Sequence, residues 1–285
     1  MKKSLKLVLS EKIPKSDLKN IYSSYDLIGD IAILRLTEEA RKYSEIIAEA
    51  LMNIHKNVKT VLAQVSPVKG EFRLRKLEFL AGEKKTVTVH KESGCKFLVD
   101  VEKCYFSPRL LYERMRIAKQ VRDYETVVNM FAGVGCYSIV IAKHSKVGKV
   151  YSIDLNPVAV QFMKENVRLN RLYGRVIPIQ GDAGEIIKEK LSHVADRVLM
   201  PLPEKALEYL PYALLALKKH GVGWIHLYDF EHARKSEKPM EKVKFKVTEK
   251  LLSLNEKFEI PFNRIVRTVG PNWYQVVLDI KVKRD

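Results

Sequence analysis

Gly133 and Gly135 lie in the run Asn129-Met130-Phe131-Ala132-Gly133-Val134-Gly135; Asp154 follows 19 residues beyond Gly135, and Gly181-Asp182 lies about 28 residues further on. Each of these residue types has a chemical use in that order. Glycines let backbone approach a ligand closely, and the start of a following helix offers unpaired N–H groups. A carboxylate such as Asp154 accepts both hydroxyls of a ribose, and an acid beside a small residue, Asp182 beside Ala183, suits an adenine edge. A lone Gly-x-Gly is only a turn, but the ordered set is far more specific. Elsewhere, the seven histidines form no His-x-x-x-His pair, and Cys95, Cys104 and Cys136 follow neither a disulfide nor a zinc spacing. No metal site is expected. Cys136 reads as a small helix-start residue, since no neighbouring His or cationic cluster would activate a thiolate.

Positioning that set requires strands that end at the same edge. The apolar pattern predicts strands over 126–131, 149–153, 175–180, 197–200 and 223–228, with helices over 137–144, 157–170 and 204–219 between them. The charged stretch 231–244 reads as loop before a helix near 247–254, and 264–268 with 274–282 read as a closing strand pair. Repeated strand–helix alternation implies a parallel, doubly wound α/β sheet, whose ligands sit outside the C-terminal strand ends at the switch point. A dinucleotide site would need a third Gly or Ala at position 138, which is Ser, and no cradle for a pyrophosphate is evident. A ligand with ribose and adenine but no phosphates, S-adenosylmethionine, fits the set better than a nicotinamide cofactor.

The first hundred residues read differently, as a mixed α+β module. Residues 26–36 have strand character around Gly29-Asp30, Thr37 is placed to cap a helix running to Ile54, and short strands are expected over 60–65, 76–80, 85–90 and 97–101. The division expected is therefore a smaller α+β domain over 1–105 and an α/β domain over 106–285.

Composition narrows the partners. The 285 residues carry 51 Lys+Arg against 34 Asp+Glu, a net charge of +17, split as +6 over residues 1–105 and +11 over the remainder. An excess shared by both halves suits a surface that lies along a polyanion, although a Lys-rich solvated surface gives the same balance. No apolar run approaches the roughly 20 residues that span a bilayer, and Met1-Lys2-Lys3 is followed by too short an apolar stretch for a secretory leader. A reduced, cytoplasmic protein without membrane contact is expected.

The motifs as a group resemble one family. The run 129–135, the segment Tyr105-Phe106-Ser107-Pro108-Arg109-Leu110 with Glu113-Arg114, and Gly181-Asp182-Ala183 carry the likeness. So do Asp196-Arg197-Val198-Leu199-Met200-Pro201-Leu202-Pro203, Arg267-Thr268-Val269-Gly270-Pro271 and Tyr274-Gln275-Val276-Val277-Leu278-Asp279. From about Asp26 to Val282 the chain is similar to the archaeal and eukaryotic tRNA guanosine-37 N1-methyltransferase family, which includes the wyosine-pathway methyltransferases and an aminocarboxypropyl transferase. The resemblance implies a small RNA-contacting domain followed by a class I (Rossmann-like) methyltransferase domain. It implies S-adenosylmethionine as cofactor and the anticodon loop of tRNA, probed at position 37 and expected in tRNA-Phe, as partner. Many archaeal members carry a further module that grips the tRNA elbow; the expectation here is a chain that starts at the second module.

By matching motif, the resemblance makes Glu113 the general base for the target purine and Arg73 the group that neutralises charge on its oxygen. Tyr105 and Ser107 would line the pocket, Arg75 and Pro203 would touch substrate, and Ser107, Arg114, Phe131, Ala132, Leu155, Asn156, Ala183 and Pro201 would join Gly133, Gly135, Asp154 and Asp182 around the cofactor. An isolated Glu113 would read instead as a solvated helix residue paired with Arg109 or Arg116. Arg73 and Arg75, two apart, would share one strand face. N1-methylating members usually carry an Asn where this chain has Pro201, and losing that amide resembles archaeal members that methylate carbon 7 of 4-demethylwyosine. Asn129 stands where many relatives have Asp. Arg109-Leu110 after Phe-Ser-Pro, in place of Gly-Asn, favours methyl over aminocarboxypropyl transfer. A tRNA-binding module without turnover is disfavoured by the intact Gly133, Gly135, Asp154 and Asp182.

Overall fold

In the computed structural model, which describes residues 4–284, the chain divides between Arg109 and Leu110 into two units. Met1-Lys2-Lys3 lies outside the described residues. Residues 106–109 fall with the smaller unit, four positions beyond the division drawn from the sequence.

The smaller unit begins with two short helices, α1 (Leu5–Leu9) and α2 (Lys15–Leu18), the first capped by Ser4, whose Oγ accepts the Leu7 N–H at 3.3 Å. Strands β1 (Tyr25–Ile28) and β2 (Ile31–Leu34) form a hairpin at Gly29-Asp30, where Gly29 takes φ +59°. Thr37 accepts the Ala40 N–H at 3.2 Å, but a 3₁₀ turn over Arg41–Tyr43 intervenes before α3 (Ser44–Ile54). Strands β3 (Thr60–Gln64) and β4 (Leu77–Gly82) complete a sheet of order β1-β2-β3-β4 in which β2 and β3 run parallel. Its apolar face buries Leu5, Leu9, Ile47, Leu51 and Val61. A separate hairpin pairs β5 (Val87–Glu92) with β6 (Cys95–Asp100).

In the larger unit α4 (Leu111–Ala118) precedes β7 (Thr126–Asn129), α5 (Cys136–His144), β8 (Lys149–Asp154), α6 (Pro157–Leu169) and β9 (Val176–Gln180). There follow α7 (Ala183–Ile186), β10 (Arg197–Met200), α8 (Ala206–Ala216), β11 (Gly221–His232), α9 (Pro239–Ser253), β12 (Lys257–Gly270) and β13 (Trp273–Arg284). The sheet order is β12-β13-β11-β10-β7-β8-β9, with β11, β10, β7, β8 and β9 parallel and the β12–β13 hairpin antiparallel at one edge. Parallel strands buried on both faces demand continuous apolar residues, and Val127, Val128, Ile153, Val198 and Leu199 are all buried. The chain starts in the middle at β7, walks outward to β9 and returns to β10 on the other side of β7, so the direction reverses between β7 and β10. That is the switch point at which a doubly wound sheet leaves a crevice.

Three elements of the larger unit differ clearly from the sequence pattern, among them β12, which starts at Lys257 and not near 264. Helix α9 starts at Pro239, not near 247, because Val243, Val247 and Leu251 form a buried stripe beneath its charged residues. Strand β11 extends through His232, well past Tyr228, since β13 pairs with it along its whole length.

Candidate functional site

The C-terminal ends of β7, β8 and β9 bring the predicted nucleoside residues together. Gly133 and Gly135 both adopt positive φ, +56° and +91°. A Cβ on Gly135 would stand 2.9 Å from Met163 Cγ, so the left-handed turn into α5 requires glycine both for its backbone and for its space. The Gly133 N–H donates to Asp154 Oδ2 at 2.6 Å, and the Asn156 N–H donates to Asp154 Oδ1 at 3.0 Å. Asn156 in turn caps α6, accepting the Val158 N–H at 3.0 Å. Ala132 fixes the loop by donating its N–H to the Ile153 carbonyl at 2.8 Å. Asp182 caps α7 through the Gly184 and Glu185 N–H groups at 2.8 and 3.1 Å and also accepts the Tyr209 hydroxyl. Phe131 meets the Tyr209 ring edge-on at 5.2 Å. Leu155 is exposed beside Asp154, Ala183 is buried, and Pro201 and Pro203 follow β10, Pro203 opening a 3₁₀ turn.

Glu113, on α4, is almost wholly buried and accepts hydrogen bonds from three side chains. Its Oε1 accepts the Tyr228 hydroxyl at 2.7 Å and Arg116 Nη2 at 2.8 Å, while Arg116 Nε lies 3.1 Å from both oxygens. Arg264 Nη2 closes on Oε2. Burial pushes the carboxyl up, but the two guanidiniums and the hydroxyl outweigh it and hold Glu113 below the ordinary carboxylate range. Glu113 therefore pairs with Arg116 at helical spacing, as the plain reading of the motif had it, yet it is buried and not solvated. Arg114, the adjacent predicted residue, is also buried, 6.0 Å from the Tyr137 ring centroid.

The polar chain continues inward. Arg116 grips Asp279 through Nη1–Oδ2 at 2.5 Å and Nη2–Oδ1 at 3.0 Å. Asp279 faces His226 Nδ1 at 2.6 Å, and His226 Nε2 faces Arg197 Nη1 at 2.6 Å. Arg197 cannot accept, so Nε2 must be the acceptor and Nδ1 must carry the proton toward Asp279. His226 is thus neutral, in keeping with the burial that depresses its pKa. Arg197 ends the chain on Glu125, at 2.8 and 3.1 Å. Spacing marks Arg116 as a partner of Glu113 and Asp279 closes one of the family motifs, but Tyr228, Arg264, His226 and Glu125 do not stand out from motif spacing. The alternation Trp224-His226-Tyr228 on an apolar strand was the available signal, and it reads as core until partners from other elements are known.

In the smaller unit, Arg73 stacks on Tyr105 with the guanidinium carbon 4.2 Å from the ring centroid. Arg73 lies in a turn at φ +54°, not on a strand, so it does not share a strand face with Arg75. Arg75 reaches Gln64 Oε1 at 3.3 Å and lies 3.9 Å from Asp26, which Arg109 Nε also holds at 2.7 Å. Burial lowers the Arg75 pKa. Ser107 is buried.

Among the described residues no group of three or more His, Cys, Asp or Glu could hold a metal ion, and no helix is long and apolar enough to cross a membrane. The switch point between β7 and β10, the left-handed glycine turn and the strand-end carboxylates define a class I, S-adenosylmethionine-dependent methyltransferase. The residues present fit that cofactor: Asp154 is half-buried with no cation paired to it among the described residues, desolvation raises its pKa, and each oxygen holds a single backbone N–H, leaving capacity for a ribose hydroxyl. Residues 88–255 match the TRM5/TYW2 methyltransferase domain and residues 5–86 match the TYW2 N-terminal domain. The chain belongs to the TRM5/TYW2 methyltransferase family. It is 37% identical to the tRNA (guanine(37)-N(1))-methyltransferase Trm5b of Pyrococcus abyssi over 95% of this chain and 78% of the relative. It is 39% identical to the tRNA 4-demethylwyosine(37)-methyltransferase Taw21 of Saccharolobus solfataricus, over 93% of this chain and 96% of the relative. The crystal structure of P. horikoshii TYW2 in complex with MeSAdo superposes with a TM-score of 0.78 at 30% identity, covering 100% of both chains.

Proposed function

We propose that this enzyme methylates the purine at position 37 of tRNA, expected in tRNA-Phe, in the cytoplasm. Its principal acceptor is carbon 7 of 4-demethylwyosine, and nitrogen 1 of guanosine is a further one. The observation that carries the choice of carbon 7 is Pro201 at the end of β10, which supplies neither a side-chain amide nor a backbone N–H to the crevice. The likeness to Taw21 supports it, and the likeness to Trm5b supports the second acceptor. The excess of basic residues suits a phosphate backbone, with the smaller domain contributing Arg73 and Arg75.

When bound, S-adenosylmethionine supplies an electrophilic methyl on a sulfonium and departs as a neutral thioether. Asp154 holds its ribose and Asp182 its adenine edge, with Phe131, Ala132, Gly133, Gly135, Leu155, Asn156, Ala183 and Arg114 shaping the cradle. Glu113 takes the proton that the purine loses as its ring atom bonds the methyl, so charge and protons balance within the crevice. An Asp154→Asn change keeps the shape but removes the charge that strengthens two hydroxyl contacts. It is expected to weaken S-adenosylhomocysteine binding by roughly 10- to 100-fold in calorimetric titration; unchanged affinity would remove Asp154 from the ribose.

Product analysis decides the acceptor. The enzyme is incubated with labelled cofactor and tRNA from strains blocked at successive wyosine steps, and the nucleosides are read by mass spectrometry. A single added methyl on 4-demethylwyosine is expected. Pro201→Asn is expected to lose carbon-7 methylation while keeping 1-methylguanosine formation. No added mass on either precursor sinks the reading, and transfer of an aminocarboxypropyl group replaces it.

A further inference from the structure

We propose that Arg264 is a displaceable latch on Glu113: it occupies Oε2 in the free enzyme and releases it when the tRNA acceptor arrives. The inference rests on the reading of Glu113 as the proton acceptor and makes Arg264 a positioning residue for it.

The donors on Glu113 are not equally fixed. Tyr228, from β11, is fully buried. Arg116, from α4 itself, is anchored a second time by Asp279 of β13, and Asp279 is held in place by His226 and by Gln120 Nε2 at 3.2 Å. Arg264 comes from β12, the edge strand, and its side chain is 38% exposed against 16% for Arg116. Among the described residues Glu113 is the one carboxylate it pairs with, and its Nε, though buried, has no hydrogen-bond partner. The β12–β13 pairing shifts register on either side of it, between Glu259 and Phe262 and between Ile265 and Arg267. Arg264 is therefore held at one end only, on a strand irregular above and below it.

Charge balance gives the latch its effect. Glu113, Arg116, Asp279 and Arg264 make a neutral set of two carboxylates and two guanidiniums, and His226 adds no charge. The other groups facing Glu113 are Tyr228 and, from α5, the buried Tyr137, both with pKa values pushed up so that they stay protonated, with Arg114 near Tyr137. Withdrawing Arg264 leaves the set with one excess negative charge, and proton affinity on Glu113 rises. Withdrawing Arg116 instead would strand two buried carboxylates, which costs far more. An arriving tRNA offers phosphate oxygens that match the guanidinium fork, the differential contact needed to draw Arg264 away.

Rate–pH profiles of the full chain test this, with tRNA carrying 4-demethylwyosine or guanosine at position 37 and labelled methyl donor. The acidic limb of kcat/KM reports the free enzyme and that of kcat the complex. Arg264→Gln is expected to move the kcat/KM limb up by about one pH unit, a tenfold loss on the acidic side, while leaving the kcat limb in place. Arg264→Lys keeps the cation and is expected to stay near wild type in both limbs. Should Arg264→Gln fail to fold, Arg264→Met, which likewise removes the cation, carries the test and is expected to move only the kcat/KM limb. Unmoved limbs, or limbs that move together as for a permanent clamp, overturn the latch. Glu113→Gln is run alongside: full turnover there overturns the base reading itself, whereas an inactive Glu113→Gln with an unshifted Arg264→Gln overturns the latch alone.

Discussion

Glu113→Gln is expected to lose methyl transfer by roughly a thousandfold while binding S-adenosylhomocysteine as the wild type does, since a positioned general base contributes about 10²–10⁴ in rate. The substitution preserves shape, and its carbonyl oxygen still accepts the Tyr228 hydroxyl at the Oε1 position. What it removes is the ability to take a proton. The separation of effects follows from where the groups sit: the nucleoside carboxylates close β8 and β9, and Glu113 lies on α4, bonded to neither Asp154 nor Asp182. Single-turnover rates with labelled methyl donor and calorimetric titration of the same preparation check both halves. A residual rate within tenfold of wild type would remove Glu113 as the base. Loss of cofactor affinity in step with rate would make it a structural residue. The wild-type kcat/KM should hold into mildly acidic pH, because the guanidiniums and the hydroxyl keep Glu113 of the free enzyme ionised below the usual carboxylate range.

The meeting of the proposed cradle residues at one sheet edge was legible in the sequence because its parts are local. A buried parallel strand is a short apolar run, and the residue that closes it stands at a fixed edge of the sheet, so Gly133, Asp154 and Asp182 fall together once the alternation is recognised. The surroundings of Glu113 were not legible, for the opposite reason. Arg264 and Asp279 lie more than 150 residues away and reach it only because a hairpin doubles back onto β11. Periodicity says that Tyr228 and His226 face one side of a strand; it does not say which charges α4 brings to that side. The length of β11 and the start of α9 were missed for a related reason. Both depend on partners, β13 for the strand and the buried stripe Val243, Val247 and Leu251 for the helix, and charged residues between them obscure the apolar pattern.

Arg197 is where that long-range pairing bears hardest on stability. It is almost fully buried, forks onto both oxygens of Glu125, donates to the Gln120 carbonyl at 2.9 Å and faces His226 Nε2. Arg197→Leu removes one cation and leaves a buried carboxylate, a carbonyl and an imidazole nitrogen without their donor. Breaking one side of such a pair costs about 3–5 kcal/mol, which in a domain of this size lowers the thermal midpoint by about 10 °C. Adding Glu125→Leu is expected to recover much of the loss, because two apolar residues need no counter-charge. His226 sets the pH sense. Burial depresses its pKa below the ordinary 6.5, so between the two values the unfolded chain binds a proton that the folded chain refuses. Stability therefore falls as pH drops below about 6.5. Arg197→Leu relieves the neighbouring positive charge that opposes protonation and should flatten that fall. Thermal unfolding of the three proteins from pH 5 to 8 reads both effects. A midpoint drop under about 2 °C for Arg197→Leu, with an unaltered pH slope, would show that this chain of buried partners is not what holds β10, β11 and β13 together.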